Sequence, residues 1–313
     1  MTVLAVTLHP AVDKFVRTPK LVPDGISRVE IVSIYAGGKG NNVARALTRM
    51  SVPAIATGFQ GGYTGTLIEQ SLKDEGVKTD FVVCKSTIRT STLIQEHETG
   101  HTFAVYEPGQ LVDRQEIDAL LDKFVELLKT TSLCLLCGSG QTDELSLVYP
   151  RMIELAKEKG VRCLVDSSGG ALREALKACP FMVKVNTEEL SDLVGRELAT
   201  ETEQIAALLQ LHKKGIPLVA VSRGPEGLVV TDGKEIWKAR LHMANVINVV
   251  GCGDSLLAGI AKSVLENKSL GELVRWGVAC GTANTQAEGA GFIDLSLVEP
   301  LLPKVEVVQL PLP

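Results

Sequence analysis

Short apolar runs recur along the chain, and each is followed by a glycine or polar break and then by residues at helical spacing. Val3 to Leu8 is the first run, stopped by His9-Pro10. Ala54 to Phe59, Leu133 to Cys137, Val161 to Val165, Phe181 to Val185 and Leu218 to Val221 repeat the pattern and predict buried strands. Between them, Val43, Ala46, Leu47 and Met50 share one helical face. Further helices are predicted over 64–75, 143–159 with an interruption at Pro150, 171–178, 188–194, 202–214 and 271–284. Asp113 and Glu116 have the spacing of a capping box ahead of a helix that carries Ile117, Leu120, Leu121, Phe124 and Leu128. Strands alternating with helices imply right-handed crossovers and a central, mostly parallel sheet. Ligands of such sheets bind beyond the C-terminal ends of the strands. Asp166, Asn186, Ser222 and the segment 251–254 are all predicted to lie where a strand ends.

Some segments stand outside this repeat. Between Asp13 and Tyr35, two β-like stretches (Phe15-Val16-Arg17 and Arg28 to Ile34) flank Pro23-Asp24-Gly25 and lack helical periodicity. Phe81 to Cys84, Ser91 to Glu96 and Thr102 to Tyr106 also predict strands. Leu228 to Thr231 and Glu235 to Lys238 predict a hairpin around Asp232-Gly233. The Pro-rich tail from Pro300 to Pro313 reads as extended, with no legible role.

The 313 residues are 45% hydrophobic, 22% charged and 4% aromatic, which suits a large packed core. That length allows two domains, but the regular alternation favours one α/β domain, 1–313, with an appendage. A net charge of −5 and the lack of a long basic run argue against a nucleic-acid surface. No uninterrupted apolar stretch approaches the ~18–20 residues of a membrane span. No basic-then-apolar leader follows Met1, so a cytoplasmic protein is expected. The seven cysteines, an odd number lying in apolar segments, then read as reduced thiols. Cys134 and Cys137 have CxxC spacing but sit inside a strand-like run and read as core.

Candidate chemistry concentrates in Asn248-Val-Val-Gly251-Cys252-Gly253-Asp254-Ser255, where a strand-like run is expected to break at glycines before a helix. Such a turn aims backbone N–H groups and the positive end of a helix dipole at an anion, with a carboxylate beside it. That combination suits phosphoryl transfer to a hydroxyl. The plain alternative is a glycine turn with Asp254 as an N-cap. Gly37-Gly38-Lys39-Gly40 opens another helix but lacks the order of a Walker P-loop; its glycines permit close approach of a polyol, and Lys39 could meet a phosphate, as could Arg89. Ser222-x-Gly224-x-x-Gly227 resembles half of a dinucleotide fingerprint, but a hairpin rather than a helix follows it. His97-Glu98-Thr99-Gly100-His101 matches H-E-x-x-H by letter, yet the predicted hairpin turn denies it the helical spacing a zinc site needs. His212 and His242 have no evident partners in the sequence.

Taken in order, Gly37-Gly-Lys-Gly40 with Asn42-Val-Ala44, Thr87-x-Arg89-Thr90, Asp166-Ser-Ser-Gly169, Lys184-x-Asn186-x-x-Glu189 and Gly251-Cys-Gly-Asp254 resemble the ribokinase-like (PfkB-type) carbohydrate kinases, from about Val3 to Gly291. Thr7-Leu-His-Pro-Ala-Val-Asp13 and Lys39 are similar to the branch acting on ketohexose phosphates: 1-phosphofructokinase, tagatose-6-phosphate kinase and the minor 6-phosphofructokinase. The resemblance implies a doubly wound α/β fold with a small β-sheet lid, its strands inserted at about 12–36 and 89–108, and a homodimer formed through those strands. It implies ATP and Mg²⁺, and phosphorylation of D-fructose 1-phosphate at O6. Tagatose 6-phosphate and fructose 6-phosphate are the alternative substrates, and a non-catalytic sugar-phosphate- or nucleotide-binding regulator is the alternative role.

Residue by residue, Asp254 matches the catalytic base and Gly251, Cys252 and Gly253 the turn that holds the transferring phosphate. Asp13, Gly37, Gly38, Lys39, Asn42 and Ser139 match sugar-side positions, with Lys39 and Arg89 facing the substrate's own phosphate. Lys184, Asn186, Ser222, Gly224, Gly227 and Asn284 match nucleotide-side positions, and Glu189 a water-mediated magnesium ligand. The chain departs from the family pattern at His9 in place of asparagine, at Tyr106 and Gln110, over Cys137 to Gln141, and in lacking the usual proline between Lys184 and Asn186. The catalytic end is intact, whereas the substrate end is altered.

Overall fold

The computed structural model describes residues 1–140 and 142–313; Gln141, the last of the altered stretch at Cys137, lies outside them. The chain opens with β1 (Val3–Thr7), whose residues are all buried, as expected of an interior parallel strand. It then forms β2 (Ala11–Thr18) and β3 (Glu30–Gly37) before α1 (Lys39–Arg49). β4 (Ala54–Gln60), α2 (Gly62–Asp74) and two short strands, β5 (Lys78–Thr79) and β6 (Val82–Val83), lead to β7 (Thr90–Glu96) and β8 (Thr102–Tyr106). The second half runs α3 (Arg114–Leu128), β9 (Leu133–Cys137), α4 (Asp143–Ser146), α5 (Val148–Glu158), β10 (Arg162–Asp166), α6 (Gly169–Lys177), β11 (Met182–Asn186), α7 (Thr187–Val194), α8 (Glu201–Lys213) and β12 (Leu218–Ser222). The antiparallel pair β13 (Leu228–Thr231) and β14 (Ile236–Arg240), the helices α9 (Cys252–Leu265), α10 (Leu270–Asn284) and α11 (Leu295–Val298), and β15 (Glu306–Leu310) complete it.

One large sheet has the order β15-β14-β13-β12-β11-β10-β9-β1-β4-β5, with β6 beside β4. From β12 to β5 every pairing is parallel, and the last three strands at the β15 end are antiparallel. β1 lies between β4 and β9, so the order reverses there, and a crevice opens at the C-terminal ends of the strands. The register aligns those ends: Thr7 pairs with Cys137, Cys137 with Asp166, and Asn186 with Ser222.

The second sheet has the order β3-β2-β7-β8 and is built from the segments read as lying outside the repeat. β2 and β7 pair in parallel, with Asp13 opposite Ser91, Phe15 opposite Leu93 and Arg17 opposite Gln95. These alternate residues share one face by the two-residue period of a strand. Residues 97–100 form the tight connection between β7 and β8, so the H-E-x-x-H letters lie in a hairpin turn.

Local expectations met the structure unevenly. The Asp113–Glu116 capping box is present, with both of its bonds. The helix break comes at Leu147, before Pro150, which falls in the first turn of α5, where a missing N–H costs nothing. The tail is the edge strand β15, paired antiparallel with β14. The strand expected to lead into Gly251 is absent: 241–250 has no regular structure, and Val246, Ile247 and Val249 are exposed. β14, the strand just before this segment, is already paired on both sides. Among the described residues, no helix is long and apolar enough to cross a membrane.

Candidate active site

Gly251 adopts φ 80° as the N-cap of α9, and a Cβ there would lie 2.3 Å from the Cβ of Ala290. Glycine is required on both counts. The helix starts at Cys252, so Asp254 is its third residue and not its N-cap, and no side chain caps the first turn. The amides of that turn therefore face the crevice with the positive end of the helix dipole behind them. Lys184 approaches the same point, since a Cβ on Gly253 would lie 3.2 Å from its Nζ. Asn284 has no exposed surface and spends its whole amide on this turn. Its Oδ1 accepts from Ser255 and from the Gly291 amide, and its Nδ2 donates to the Val250 carbonyl and toward Cys252 Sγ. Asn284 thus braces the turn from behind.

Asp254 is buried, and its Oδ2 accepts a 2.8 Å hydrogen bond from Asn42 Nδ2 on α1. Burial, with Asp166 nearby, raises its pKa above the usual carboxylate value, against the pull of Lys39, Asn42 and Lys184. Asp166 closes β10 without exposed surface and holds Lys39 Nζ at 2.7 Å and Lys184 Nζ at 2.6 Å. Burial alone would push Asp166 up, but the two ammonium groups prevail and hold it below the normal range. Burial opposes the charge of Lys39, yet Asp166, Glu189 and Asp254 keep it protonated. Glu189 Oε1 lies 3.6 Å from Lys39. Its other oxygen accepts from the Asn186 amide, while Asn186 Oδ1 accepts from the Glu189 amide, which makes a capping box at the start of α7.

The other end of the crevice is a cavity of about 670 Å³ between the two sheets, lined by His9, Asp13, Gly38, Lys39, Asn42, Arg89, Tyr106 and Ser139. Gly37 allows Asp13 to turn inward, because a Cβ there would collide with the Asp13 carboxylate at 2.2 Å. Burial, together with the charge of Asp254, raises Asp13 to about 6 against the opposing pull of Arg45 and Arg89. Burial and Arg89 lower His9 to about 4, which leaves its imidazole neutral at physiological pH. Two buried nitrogens in this cavity, His9 Nε2 and Arg89 Nε, have no protein partner. Such atoms are costly unless something bonds them. Arg89 also lies over the Tyr106 ring, 5.9 Å from its centroid.

The predicted residues thus gather around one crevice. Lys39 and Arg89 line the same cavity, where the Lys39 ammonium sits on Asp166 and Glu189 and Arg89 lies with His9 and Asp13. Ser222 ends β12, and Gly224 (φ 56°) faces open space just beyond it. Gly227 is needed for packing, since a Cβ would lie 2.0 Å from the Ala239 carbonyl oxygen on β14. Among the described residues, no cluster of three or more His, Cys, Asp or Glu could cage a metal. Both oxygens of Asp166 are taken by lysines, which leaves Glu189 as the accessible carboxylate. This donor set fits a magnesium ion carried mainly by phosphate and water, the usual manner of that ion. The reading from sequence gave no role to Asp166 beyond its place at a strand end, and it missed Arg45 altogether. A charged residue inside the apolar stretch Val43 to Leu47 was the available signal.

Three comparisons bear on this geometry. The family description "pfkB family carbohydrate kinase" matches residues 6–296. The chain is 30% identical over 308 residues to a 1-phosphofructokinase of Bacillus subtilis, which covers 98% of this chain and 100% of that one. It is equally 30% identical over 310 residues to a tagatose-6-phosphate kinase of Staphylococcus epidermidis, with 98% and 99% covered. The crystal structure of phosphofructokinase-2 from Escherichia coli in complex with substrates and products superposes with a TM-score of 0.89 at 30% identity, over 97% of this chain and 99% of that one.

Proposed function

The chain belongs to the pfkB family of carbohydrate kinases, and from that premise we propose that it phosphorylates D-fructose 1-phosphate at O6 with ATP. At the coarser level it is an ATP-dependent sugar-phosphate kinase, a phosphotransferase acting on a sugar hydroxyl. The observation that carries the reading is the buried Asp254 carboxylate, held by Asn42 at 2.8 Å beside the uncapped first turn of α9 and Lys184. Asp254 takes the proton of the sugar hydroxyl as that oxygen attacks the γ-phosphorus, and the bond to the bridging oxygen of the leaving ADP breaks. Its raised pKa strengthens it as a base. The turn amides and Lys184 hold the charge on the transferring group, a preorganised arrangement that strengthens out of water. Glu189 would hold a magnesium ion through water, and the ion would supply neutralisation of phosphate charge.

Sugar hydroxyls fall to Asp13, Asn42 and Ser139, and the phosphate already on the sugar falls to Arg89. Lys39, seated at Asp166, serves the nucleotide side or bridges the two ends. Ser222 and Gly224 line the nucleotide's path at the end of β12. The sheet β3-β2-β7-β8 acts as a lid that excludes water during transfer. Ile31, Ile34, Phe103 and Val105 on it are exposed, which suits pairing with a second copy in a homodimer. The identity to a tagatose-6-phosphate kinase makes tagatose 6-phosphate the second candidate. The deciding experiment is a panel of fructose 1-phosphate, fructose 6-phosphate, tagatose 6-phosphate and free ketohexoses with ATP, read by ADP release. Highest kcat/KM on fructose 1-phosphate is expected, and binding without ADP formation across the panel would indicate a non-catalytic regulator.

A further inference from the structure

Arg45 sits in the middle of α1 with no exposed surface. A guanidinium so placed is tolerated only when its five N–H donors find acceptors. All five do. Nε and Nη2 meet the two carboxylate oxygens of Glu75, and Nη2 also donates to the Ala36 carbonyl at 2.7 Å. Nη1 donates to Asn42 Oδ1 and to the Ala290 carbonyl, each at 3.0 Å. The rings of Phe292 and Tyr35 flank the group, 4.5 and 5.4 Å away. Two of these acceptors touch the reactive turn. Asn42 donates its Nδ2 to Asp254, and Ala290 is the wall against which Gly251 rests.

Resting on the reading of Asp254 as the base, we propose that Arg45 is a positioning residue for phosphoryl transfer. By claiming Oδ1 of Asn42 it leaves Nδ2 as the end that meets Asp254, and by holding Ala290 it fixes the wall behind Gly251. The two ends of an asparagine amide are nearly equal in shape, so the hydrogen bonds around it decide which way it faces. Without a donor at Oδ1, the amide can turn over and offer an acceptor to the carboxylate. Asp254 then loses the bond that favours its ionised form. Glu75 matters in turn because it holds Arg45, and Ser71 Oγ donates to Glu75 at 3.0 Å.

The test compares Arg45→Lys, Arg45→Met, Asn42→Ala, the double variant Arg45→Lys/Asn42→Ala and Asp254→Asn in the full chain. The readout is the pH profile of kcat, with KM for the sugar phosphate alongside. The other titratable groups facing Asp254 are Asp166, Lys39, Lys184, Asp13, Tyr35, Cys137 and Cys252, and Arg45 also acts on Asp13 through space, which the KM readout tracks. The acid limb of kcat is expected to move up by roughly one pH unit in the Arg45 variants. Asn42→Ala should move it equally, and the double variant should move it no further. An acid limb that stays in place while kcat falls by one factor at every pH would leave Arg45 a purely structural residue. Shifts that add in the double variant would mean it does not act through Asn42. Arg45→Lys keeps a charge opposite Glu75 and so carries the test where Arg45→Met fails to fold. Near-full turnover in Asp254→Asn would instead overturn the base assignment, whatever the Arg45 variants do.

Discussion

Lys184 Nζ lies 2.6 Å from Asp166 Oδ2, and the two side chains are only 5% and 0% exposed. Lys39 occupies the other Asp166 oxygen at 2.7 Å. One buried carboxylate therefore holds two ammonium groups beside the turn that is proposed to meet phosphate.

Asp166→Asn should destabilise the fold by about 3–5 kcal/mol, the scale for removing one partner of a buried ion pair. The sign with pH follows from the shift. The folded-state pKa of Asp166 lies below its ordinary 3.8, so its contribution is present above that value and is lost as pH falls through the folded one. Urea melts across pH should show a constant gap between wild type and variant near neutrality that closes in strong acid. A gap unchanged down to about pH 2 would place the source elsewhere than in the Asp166 charge.

Asp254→Asn should lower kcat by about 10²–10⁴, the scale of a general base, with little change in either KM. Steady-state kinetics on the best sugar of the panel is the measurement. Loss confined to KM would make Asp254 a binding group.

The different partners of Lys39 and Arg89 predict a split in kinetic effect. Arg89→Ala should raise KM for phosphorylated sugars by about 10–100-fold, the worth of a charge-assisted hydrogen bond, and leave free sugars nearly unaffected. Lys39→Ala should act chiefly on kcat and on KM for ATP. Equal effects of Arg89→Ala on fructose and fructose 1-phosphate would remove it from the phosphate site.

His9→Asn should make the protein more resistant to mild acid. In the folded protein His9 is lowered to about 4, and the ordinary value is 6.5, so between those limits the unfolded chain takes up the proton and the folded one does not. Stability through His9 is therefore lost as pH falls across that window, and the variant lacks the loss. Melting temperatures at pH 7 and pH 5 check it: the drop between them should be smaller in the variant. The same substitution should alter the ranking of sugars, because the unpartnered Nε2 faces the cavity.

The alternation of apolar runs and helical faces made the large sheet legible, because parallel strands buried on both faces carry no other sequence pattern as regular. The strands at 11–18, 30–37, 90–96 and 102–106 were legible as β but not as one sheet. Pairing β2 with β7 in parallel joins segments far apart in sequence, and no local spacing encodes that. The run before Gly251 misled as well: Val249 and Val250 look like a strand, but the segment pairs with neither sheet and leaves Val249 exposed. At the site, residue types and glycine positions pointed to Lys39, Arg89 and Asp254, and the family resemblance added Asp13, Asn42 and Lys184. Which amide end or ammonium meets which carboxylate depends on side chains arriving from several strand ends. Asn284 shows the limit, since its letter suits a ligand contact and only its burial reveals a brace.

The hydrogen bond from Asn42 to Asp254 spans 212 residues of chain. Growing from its first residue, a nascent chain has the lid strands, α1 and Asp166 in hand long before α9 exists. Until α9 arrives, the proposed base and the proposed anion-holding turn are both missing. Once the last pieces are home, a sugar phosphate bound in the crevice touches both early and late segments. Its binding then resists unfolding of the whole chain rather than of one part, and raises the melting temperature with concentration as mass action requires.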